Sequence, residues 1–513
     1  MKKIVLGILI LAGLWGTTAF AAEKEIKIQI QGEDIVFTDA MPFIDEAGRV
    51  QIPIGVLASA IGYHTGWQSE LQTANLLYGS QRVNIKVGEN KLENFVHAET
   101  VKTVEMDTVA IIKEDRVYIP LRSVGEVLGY DVVWQSNERL VQLNSGADMT
   151  NATDNMKLTF DLMEKMPKDK NYVVSPISLQ MAMAMAANGA DGNTRQEILD
   201  AMSIGTMDSY NAFVRQYLGT QQWNQYVSLE LYNGIWVNTD FDSGGSVKFS
   251  DAYKQLVKQD YNGEVGLVNN NNGADVINGW IEGKTKGLTK DMLTKEDVAD
   301  NLSFIVNTAY FKGQWDYMFK TENNYRGSFT DRNGKKSKGE FMSLTAHHYY
   351  AENENFEILA KRYNASEIQM YFVLPKTSKS ITVDELKNAI ASMNLEYVDF
   401  QLPKFKTETN HDAMTDILKE MGIHDAFEEL EADFSNMYSG QSSYIYVEKV
   451  IQNTTIEVNE RGTSASAGTF IANSYRSLPP EPIAFICDRP FTYFIMDDTT
   501  GTILFVGEYA FAE

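Results

Sequence analysis

Cysteine is almost missing from this 513-residue chain, in which Cys487 is the only one. A single thiol excludes a disulfide within the chain and any zinc or iron–sulfur site built from several cysteines. Apolar residues surround Cys487 and nothing nearby marks a nucleophile, so we expect a buried core thiol. The fold must therefore depend on its hydrophobic core, for which a hydrophobic content of 44% provides ample material.

Basic residues are also few, since 45 Lys and Arg stand against 69 Asp and Glu, a formal net charge of −24. A balance this acidic argues against wrapping nucleic acid or docking on anionic lipid, so we expect no nucleic-acid partner. The same excess of negative charge favours solubility outside the cell.

Motifs that carry catalysis or metal chemistry are missing as well. None of the six histidines lies in a His-Glu-x-x-His motif, and there is neither a Gly-x-Ser-x-Gly elbow nor a Gly-x-x-x-x-Gly-Lys loop. His347 and His348 would point to opposite faces of a strand, which argues against a shared metal. Asp497 and Asp498 fit a hairpin turn better than a calcium loop. We therefore expect a protein that is not an enzyme and has no cofactor or metal.

Long hydrophobic runs are limited to the start of the chain. Two lysines precede an apolar segment, 4–15, that is too short to span a bilayer comfortably, and the Ala-Phe-Ala of residues 19–21 fits a signal-peptidase site. We predict a signal peptide at 1–21, a mature chain without a membrane span, and an extracellular location, with free secretion and association with the cell surface both left open. An uncleaved membrane anchor is the alternative.

An internal repeat occupies residues 25–144. The segment 49–54 (RVQIPI) recurs 67 residues later at 116–121 (RVYIPL), and each copy ends in Gly-Tyr and Trp-Gln-Ser motifs. A β-branched strand followed by proline and a short helix-like stretch predicts β-α-β units, and hence a small α/β domain. The repeat resembles the copper amine oxidase N-terminal domain, which implies an accessory module that faces the cell wall or a protein partner, without copper chemistry.

A polar linker, 145–154, leads to a second domain at 155–513. Helical spacing of apolar residues occurs at 156–166 and 179–187, strand patterns occur at 304–311, 368–374 and 444–450, and a hairpin is predicted from 491–496 and 503–506. This succession predicts an α+β domain with a large central β-sheet.

The most informative segment is 460–482. From Thr463 to Thr469 every side chain is small and uncharged, so this run can lie in a sheet but cannot form a core of its own. Arg476 is the only basic residue between Arg461 and Arg489, and it offers a single trypsin-type cleavage site before a proline-rich stretch. A flexible surface loop that happens to carry an arginine is the alternative interpretation.

Several motifs in consistent order make residues 155–513 resemble a serpin. The segment Glu460-Arg461-Gly462-Thr463 matches the hinge of that family, and the cut position lies fourteen residues after the hinge glycine, at Arg476. Further matches lie at 171–178, 306–315, 402–405, 432–435 and 488–491.

The resemblance implies a serpin fold with an exposed reactive centre loop, a reactive bond between Arg476 and Ser477, and a hinge that inserts into the central sheet after cleavage. An inward charge or a proline in the hinge would stall insertion, since each costs several kcal/mol when buried or unpaired. The implied hinge residues, which include neither, are Glu460, Gly462, Thr463, Ser464, Ala465, Ser466, Ala467, Gly468 and Thr469. Ser464 stands where the family usually has glutamate, at an outward position.

Two polar sites beside the sheet are also implied. The shutter comprises Ser175, Ser178 and Asn307, with Gln452 where many members have histidine, and an amide there predicts a shutter insensitive to pH. The breach comprises Trp315 and an ion pair between Lys404 and Glu460, unless these are two unrelated surface charges.

We therefore expect an exported suicide inhibitor that forms a covalent acyl complex with a trypsin-like serine protease at Arg476. An arginine-specific cysteine protease is an alternative target. Two other functions stay open: a serpin-fold binding or scaffold protein whose loop is only a substrate, and a cell-wall enzyme that carries a stalk domain.

Overall fold

The computed structural model describes residues 25–512 apart from 31–32, 38–39, 62, 70, 79–80, 97–98, 129, 137, 146–154, 221–225, 242–246, 286, 288–289, 412–413, 440–444 and 464–480. The predicted signal peptide, nearly all of the linker, the reactive bond Arg476–Ser477 and the hinge residues Ser464 to Thr469 lie outside the described residues. Within the described part of the chain, no helix combines the length and the apolar character that crossing a membrane requires.

In the N-terminal domain, two short helices connect the strands of three small sheets. The helices are α1 (Ile54–Ala60) and α2 (Leu121–Val127). The strands are β1 (Lys27–Ile30), β2 (Glu33–Asp34), β3 (Phe43–Ile44), β4 (Val50–Pro53), β5 (His64–Gln68), β6 (Thr73–Tyr78), β7 (Gln81–Lys86), β8 (Lys91–Val96), β9 (Glu99–Glu105), β10 (Ile111–Lys113), β11 (Arg116–Pro120), β12 (Tyr130–Gln135) and β13 (Leu140–Ser145). The strand orders are β12-β13-β1-β2, β10-β11-β4-β3 and β5-β6-β7-β8-β9.

The two sequence repeats pair with each other in this domain. Pro53 and Pro120 each end a strand in extended conformation directly before a helix, as the Ile-Pro motif predicts. Ile52 and Ile119 lie opposite each other in the antiparallel β4–β11 pair, and both are fully buried. The β-α-β units are therefore present in both copies, but β5 and β12 enter different sheets, which the repeat did not indicate.

The C-terminal domain is α+β, which confirms the predicted fold class. Its helices are α3 (Met156–Lys165), α4 (Pro176–Gly189), α5 (Gly192–Ala201), α6 (Met207–Thr220), α7 (Asp251–Asp260), α8 (Gly273–Lys284), α9 (Lys295–Ala299), α10 (Val383–Ala391) and α11 (Met414–Glu420). Its strands are β14 (Tyr172–Val174), β15 (Val227–Asn238), β16 (Glu264–Val268), β17 (Ser303–Gln314), β18 (Tyr325–Thr330), β19 (Lys336–Glu352), β20 (Phe356–Arg362), β21 (Ile368–Pro375), β22 (Asn394–Pro403), β23 (Phe405–His411), β24 (Lys449–Asn459), β25 (Gly462–Thr463), β26 (Ile483–Ile486), β27 (Phe491–Asp497) and β28 (Thr502–Tyr509).

Two sheets hold the core of this domain. The six-stranded sheet has the order β16-β15-β17-β25-β24-β23. The nine-stranded sheet has the order β14-β28-β27-β21-β20-β19-β22-β26, with β18 also paired to β19. Helix α4 contacts β28 of the second sheet and β15 and β17 of the first, and nearly all of its residues are buried. Because this helix is enclosed on nearly all sides, its sequence of methionines and alanines has no polar face.

Several local predictions can be compared with this structure. The hairpin is confirmed as β27 and β28, with its turn at 497–501. His347 is exposed and His348 is buried, as opposite faces of β19 require. Cys487 is fully buried, and desolvation raises the pKa of its thiol well above the usual value.

The strand predicted at 444–450 is wrong over most of its length, because β24 begins at Lys449. The residues just before it do not pair with a strand: the Val447 N–H donates at 2.8 Å to the carbonyl of Ala426, which lies in a short 3₁₀ helix. The apolar side chains of Ile445 and Val447 are buried against the core. The alternating apolar pattern that predicted a strand here therefore arises from burial without sheet pairing.

Candidate functional site

The six-stranded sheet is closed along one stretch and open at one end. β17 and β24 are parallel and pair directly, from Phe304 opposite Lys449 to Tyr310 opposite Thr455. Beyond this stretch β25 lies between them and pairs with both in the antiparallel direction. Gly462 and Thr463 thus already occupy the position that a new central strand would take.

Gly462 allows the chain to reverse from β24 into β25. Its φ is +155°, and a Cβ atom at this position would lie 1.9 Å from the carbonyl oxygen of Gly313 and 2.9 Å from the Cα of Gln314. Both contacts are with backbone that cannot move aside, so the hinge requires glycine here.

Thr463 fills a closed polar pocket inside the sheet. Its side chain is fully buried, and its hydroxyl is 2.7 Å from the hydroxyl of Tyr363. The Tyr363 ring stacks on Trp315, with ring centroids 4.5 Å apart. The pocket therefore holds a small hydroxyl side chain against one hydroxyl partner and the Tyr363 and Trp315 rings.

Trp315, assigned to the breach, anchors the turn that precedes β25. Its backbone N–H donates to the carbonyl of Arg461 at 2.9 Å, and its indole N–H donates to the carbonyl of Asn459 at 3.1 Å. The backbone N–H of Phe319 donates to the carbonyl of Glu460 at 3.0 Å. The segment from Trp315 to Phe319 thus donates hydrogen bonds to three successive carbonyl groups of the turn.

The predicted charge pair at the breach is in direct contact. Lys404 Nζ lies 2.7 Å from Glu460 Oε1 and 2.9 Å from Glu340 Oε1, and Asn324 Nδ2 donates to Glu460 at 2.6 Å. Partial burial opposes the charge on Lys404, but its hydrogen bonds to the two carboxylates outweigh this effect and raise its pKa. These contacts attach the base of the loop to β19 and to the residues directly before β18 and directly after β22.

The four residues assigned to the shutter form one buried cluster in the closed stretch. Gln452 on β24 accepts from the Ser175 N–H at 3.0 Å, donates to the Ser175 carbonyl at 3.0 Å and donates to Asn307 Oδ1 at 2.6 Å. Asn307 on β17 in turn donates to the carbonyl of Ser178 at 2.9 Å. The amide therefore uses both its donor and its acceptor, and it joins the start of α4 to two strands that insertion would separate.

Replacing Gln452 by leucine is expected to lower the free energy of unfolding by about 3 kcal/mol. The substitution keeps the volume but leaves the backbone groups of Ser175 and the side-chain oxygen of Asn307 buried without this partner. Urea unfolding of wild type and variant measures the difference. The matched control is Gln196→Leu on the exposed face of α5, which should change stability by less than about 0.5 kcal/mol. Equal small effects in both variants would contradict the role of the cluster.

A buried lysine that the sequence analysis missed lies beside the breach. Lys361 on β20 is only 2% exposed, and its Nζ donates to the carbonyl of Tyr317 at 2.8 Å. Its ammonium group lies 5.3 Å from the ring centre of Trp315 and 4.7 Å from that of Phe319. Desolvation lowers the pKa of Lys361 to about 7, although Asp316 opposes this shift.

The Lys361→Met variant is expected to lose part of the pH dependence of stability. Because the folded-state pKa of Lys361 is about 7, the unfolded chain binds more protons between about pH 7 and pH 10, so stability rises with pH across this window. Between pH 7 and pH 9 this group should raise the free energy of unfolding of the wild type by about 2 kcal/mol, and Lys361→Met should lack this rise. Urea midpoints at the two pH values, with the exposed Lys338→Met as control, measure this gain. The same gain in all three proteins would contradict the assignment.

Comparison with known proteins gives two family matches. Residues 153–510 match the Serpin (serine protease inhibitor) family model, and residues 29–143 match the model of the copper amine oxidase N-terminal domain. An uncharacterized serpin-like protein of Thermococcus kodakarensis is 30% identical over 395 residues, covering 74% of this chain and 87% of that protein. Neuroserpin of Mus musculus is 30% identical over 369 residues, covering 66% of this chain and 86% of that protein.

Solved structures show the same fold. The thermophilic serpin tengpin in its native state superposes with a TM-score of 0.63 at 26% identity, covering 71% of this chain and 94% of that structure. Human thyroxine-binding globulin complexed with its hormone has a TM-score of 0.60 at 22% identity, covering 70% and 97%, a likeness of fold alone.

Proposed function

Because this chain belongs to the serpin family, we propose that it is an exported suicide inhibitor of trypsin-like serine proteases, cleaved between Arg476 and Ser477. The observation that carries the proposal is β25, which lies between two parallel strands that pair directly further along. In this arrangement the sheet is open at one end, where β25 occupies the start of a strand position between β17 and β24.

Cleavage would release the loop for insertion. The serine of the protease attacks the carbonyl carbon of Arg476, forms an ester to it, and expels the amine of Ser477 as the leaving group. Residues 464–476 can then extend β25 between β17 and β24, so that one strand pairing is replaced by two. At about 1 kcal/mol for each net hydrogen bond, plus apolar burial, insertion releases on the order of 10 kcal/mol. The attached protease would be displaced and distorted before its ester is hydrolysed.

The composition of the hinge supports inhibition over simple cleavage. Because side chains alternate along a strand, Ala465, Ala467 and Thr469 would follow Thr463 on the inner face of the extended β25. All of them are small and uncharged, as the pocket around Thr463 requires. The loop therefore contains no residue type that would stop insertion at the hinge.

The other parts of the chain fit an extracellular inhibitor. A signal peptide at 1–21 would export it, and the N-terminal repeat domain would act as an accessory module toward the cell wall or a protein partner. Trypsin-like proteases have an acidic primary pocket, which fits an arginine at the proposed reactive bond.

The test is covalent trapping. The mature chain and trypsin are mixed at nearly equal molar amounts and examined by denaturing electrophoresis and intact mass. The proposal predicts a complex that survives boiling, with the summed mass less the fragment from Ser477 to the C-terminus. Cleavage after Arg476 with trypsin still fully active would overturn it. The same assay with an arginine-specific cysteine protease tests the alternative target class.

A second candidate function, a serpin-fold binding protein, is favoured by one cavity. It has a volume of about 900 Å³ and lies between α3, α10 and the nine-stranded sheet. Phe160, Ile381 and Phe494 line it together with four cations, Lys168, Arg332, Lys379 and Arg489. Thyroxine-binding globulin is a protein of this fold solved with a small ligand. This candidate becomes the better one if the cleaved loop neither traps trypsin nor stabilises the chain.

A further inference from the structure

A cationic hairpin interrupts the acidic character of this chain. It consists of residues 325–340, where β18 pairs with the start of β19 across a turn at 331–335. Its sixteen residues include five Lys or Arg and two Asp or Glu, whereas the chain as a whole has a net charge of −24. The hairpin therefore carries local charge of the opposite sign to its surroundings.

Three of the cations share one face of the hairpin. The antiparallel register sets Arg326 opposite Glu340, Ser328 opposite Lys338 and Thr330 opposite Lys336. Because alternate residues of a strand point the same way, Arg326, Lys336 and Lys338 lie on the same side. Phe329, on the other side, is buried against Tyr509 with ring centroids 5.1 Å apart. The apolar side thus holds the hairpin in place while the cationic side stays exposed.

The three cations of this face, and Lys335 in the adjoining turn, are not used within the protein. Arg326, Lys335, Lys336 and Lys338 are all exposed, and within the part of the chain that the structure describes none of them forms an ion pair.

Two neighbouring cations, in contrast, already have partners. Arg332 is paired with Glu508, and Lys404 with Glu340 and Glu460. Four unpaired positive charges at one edge of a strongly acidic protein indicate an acidic partner.

The hairpin also lies between the two anchors of the reactive loop. Asn324, directly before β18, donates to Glu460 at 2.6 Å, just before the loop begins. At the other end of β18, the N–H of Thr330 donates at 2.8 Å to the carbonyl of Asp488, which follows β26 where the loop has returned to the sheet. The hairpin therefore lies beside both ends of the segment that a protease would attack.

We propose that the cationic face formed by Arg326, Lys336 and Lys338, together with Lys335 of the adjoining turn, is a docking surface for the target protease, and that it favours proteases with an acidic surface beside their active-site cleft. The inference rests on the proposed function, since attack on the loop is what brings a second protein to this face. Complementary charge of this kind raises association rates by about 10-fold to 10³-fold at low salt. A long polyanion fits less well, because beyond the hairpin it would meet the acidic remainder of the chain.

The experiment compares anionic and cationic trypsin, which share arginine specificity but differ in surface charge. The rate constant of covalent complex formation is measured for the full mature chain at about 0.05 M and 0.3 M salt, where screening differs strongly. The test variant is Lys335→Glu with Lys336→Glu and Lys338→Glu. The control variant is Lys248→Glu with Lys258→Glu and Lys295→Glu, which changes the net charge equally at exposed lysines of other elements.

The inference predicts that wild type and control prefer anionic trypsin by about tenfold at low salt, that added salt removes this preference, and that the hairpin variant lacks it. An unchanged preference in the hairpin variant would overturn the inference. Acceleration by heparin that depends on the hairpin, without any preference between the trypsins, would also overturn it and identify a polyanion as the partner. If trypsin cleaves the loop without being trapped, the proposed inhibition fails but the docking surface can still be tested. The rates of cleavage after Arg476 by anionic and cationic trypsin are then compared in place of the rates of complex formation.

Discussion

Arg476→Ala is expected to reduce the rate of covalent complex formation with trypsin by about 10³-fold or more, without changing the unfolding temperature. A trypsin-like primary pocket holds a buried carboxylate, and alanine at this position leaves that charge without a partner. A site built around such a polar contact reacts more slowly, by several orders of magnitude, with a substrate that lacks the matching group. The second-order rate constant and the denaturing gel together measure this loss.

The matched control is Arg461→Ala, at the other arginine of the segment. Arg461 is exposed, and its contact with the sheet is made by its backbone carbonyl, which the substitution retains. Complex formation should therefore stay within about twofold of wild type. Loss of the complex in Arg461→Ala with retention in Arg476→Ala would show that the reactive bond is assigned to the wrong arginine.

Under the proposed function, Thr463→Glu is expected to be cleaved as a substrate without trapping the protease. The pocket of Thr463 is fully buried and supplies one hydroxyl group, from Tyr363, so burying a carboxylate there costs several kcal/mol. The start of β25 should leave the sheet, and cleavage after Arg476 should proceed without trapping. The molar ratio of chain consumed to trypsin inactivated should rise from about 1 to above about 10, so that about nine of ten cleavage events release active trypsin.

Thr463→Ser provides the control for this position. Serine keeps the hydroxyl group and is smaller than threonine, so the contact with Tyr363 and the small volume of the side chain are both preserved. Its molar ratio should stay close to that of wild type. Full trapping by Thr463→Glu would contradict the view that insertion passes through this pocket.

Local signals in the sequence predicted those parts of the fold that depend on neighbouring residues. Pro53 and Pro120 mark the starts of α1 and α2 because proline suits the entry to a helix. The β27–β28 hairpin follows from two apolar runs around a short polar turn. β19 was not predicted, because its first residues, from Lys336 to Glu340, extend beyond the core and carry mainly polar side chains.

The candidate site depends on contacts between distant residues, which no local pattern contains. Ser175 and Gln452 meet across 277 residues, and only the family resemblance placed them in one cluster. No local sequence pattern predicted the burial of Lys361, because this lysine is covered by Trp315 and Phe319, which lie on a different segment of the chain. The roles of Arg476 and Ser477 stay predictions, since both lie outside the described residues.

The central claim, that the six-stranded sheet accepts the cleaved loop, is tested most directly by thermal unfolding before and after cleavage with thermolysin. This zinc protease forms no acyl-enzyme and so cannot be trapped, and Phe470, Ile471 and Leu478 offer it large apolar side chains within the loop. The site of cleavage is read by mass spectrometry. If the loop extends β25 between β17 and β24, the cleaved chain should unfold on the order of 20 °C higher. An unfolding temperature that stays the same or falls would contradict the account.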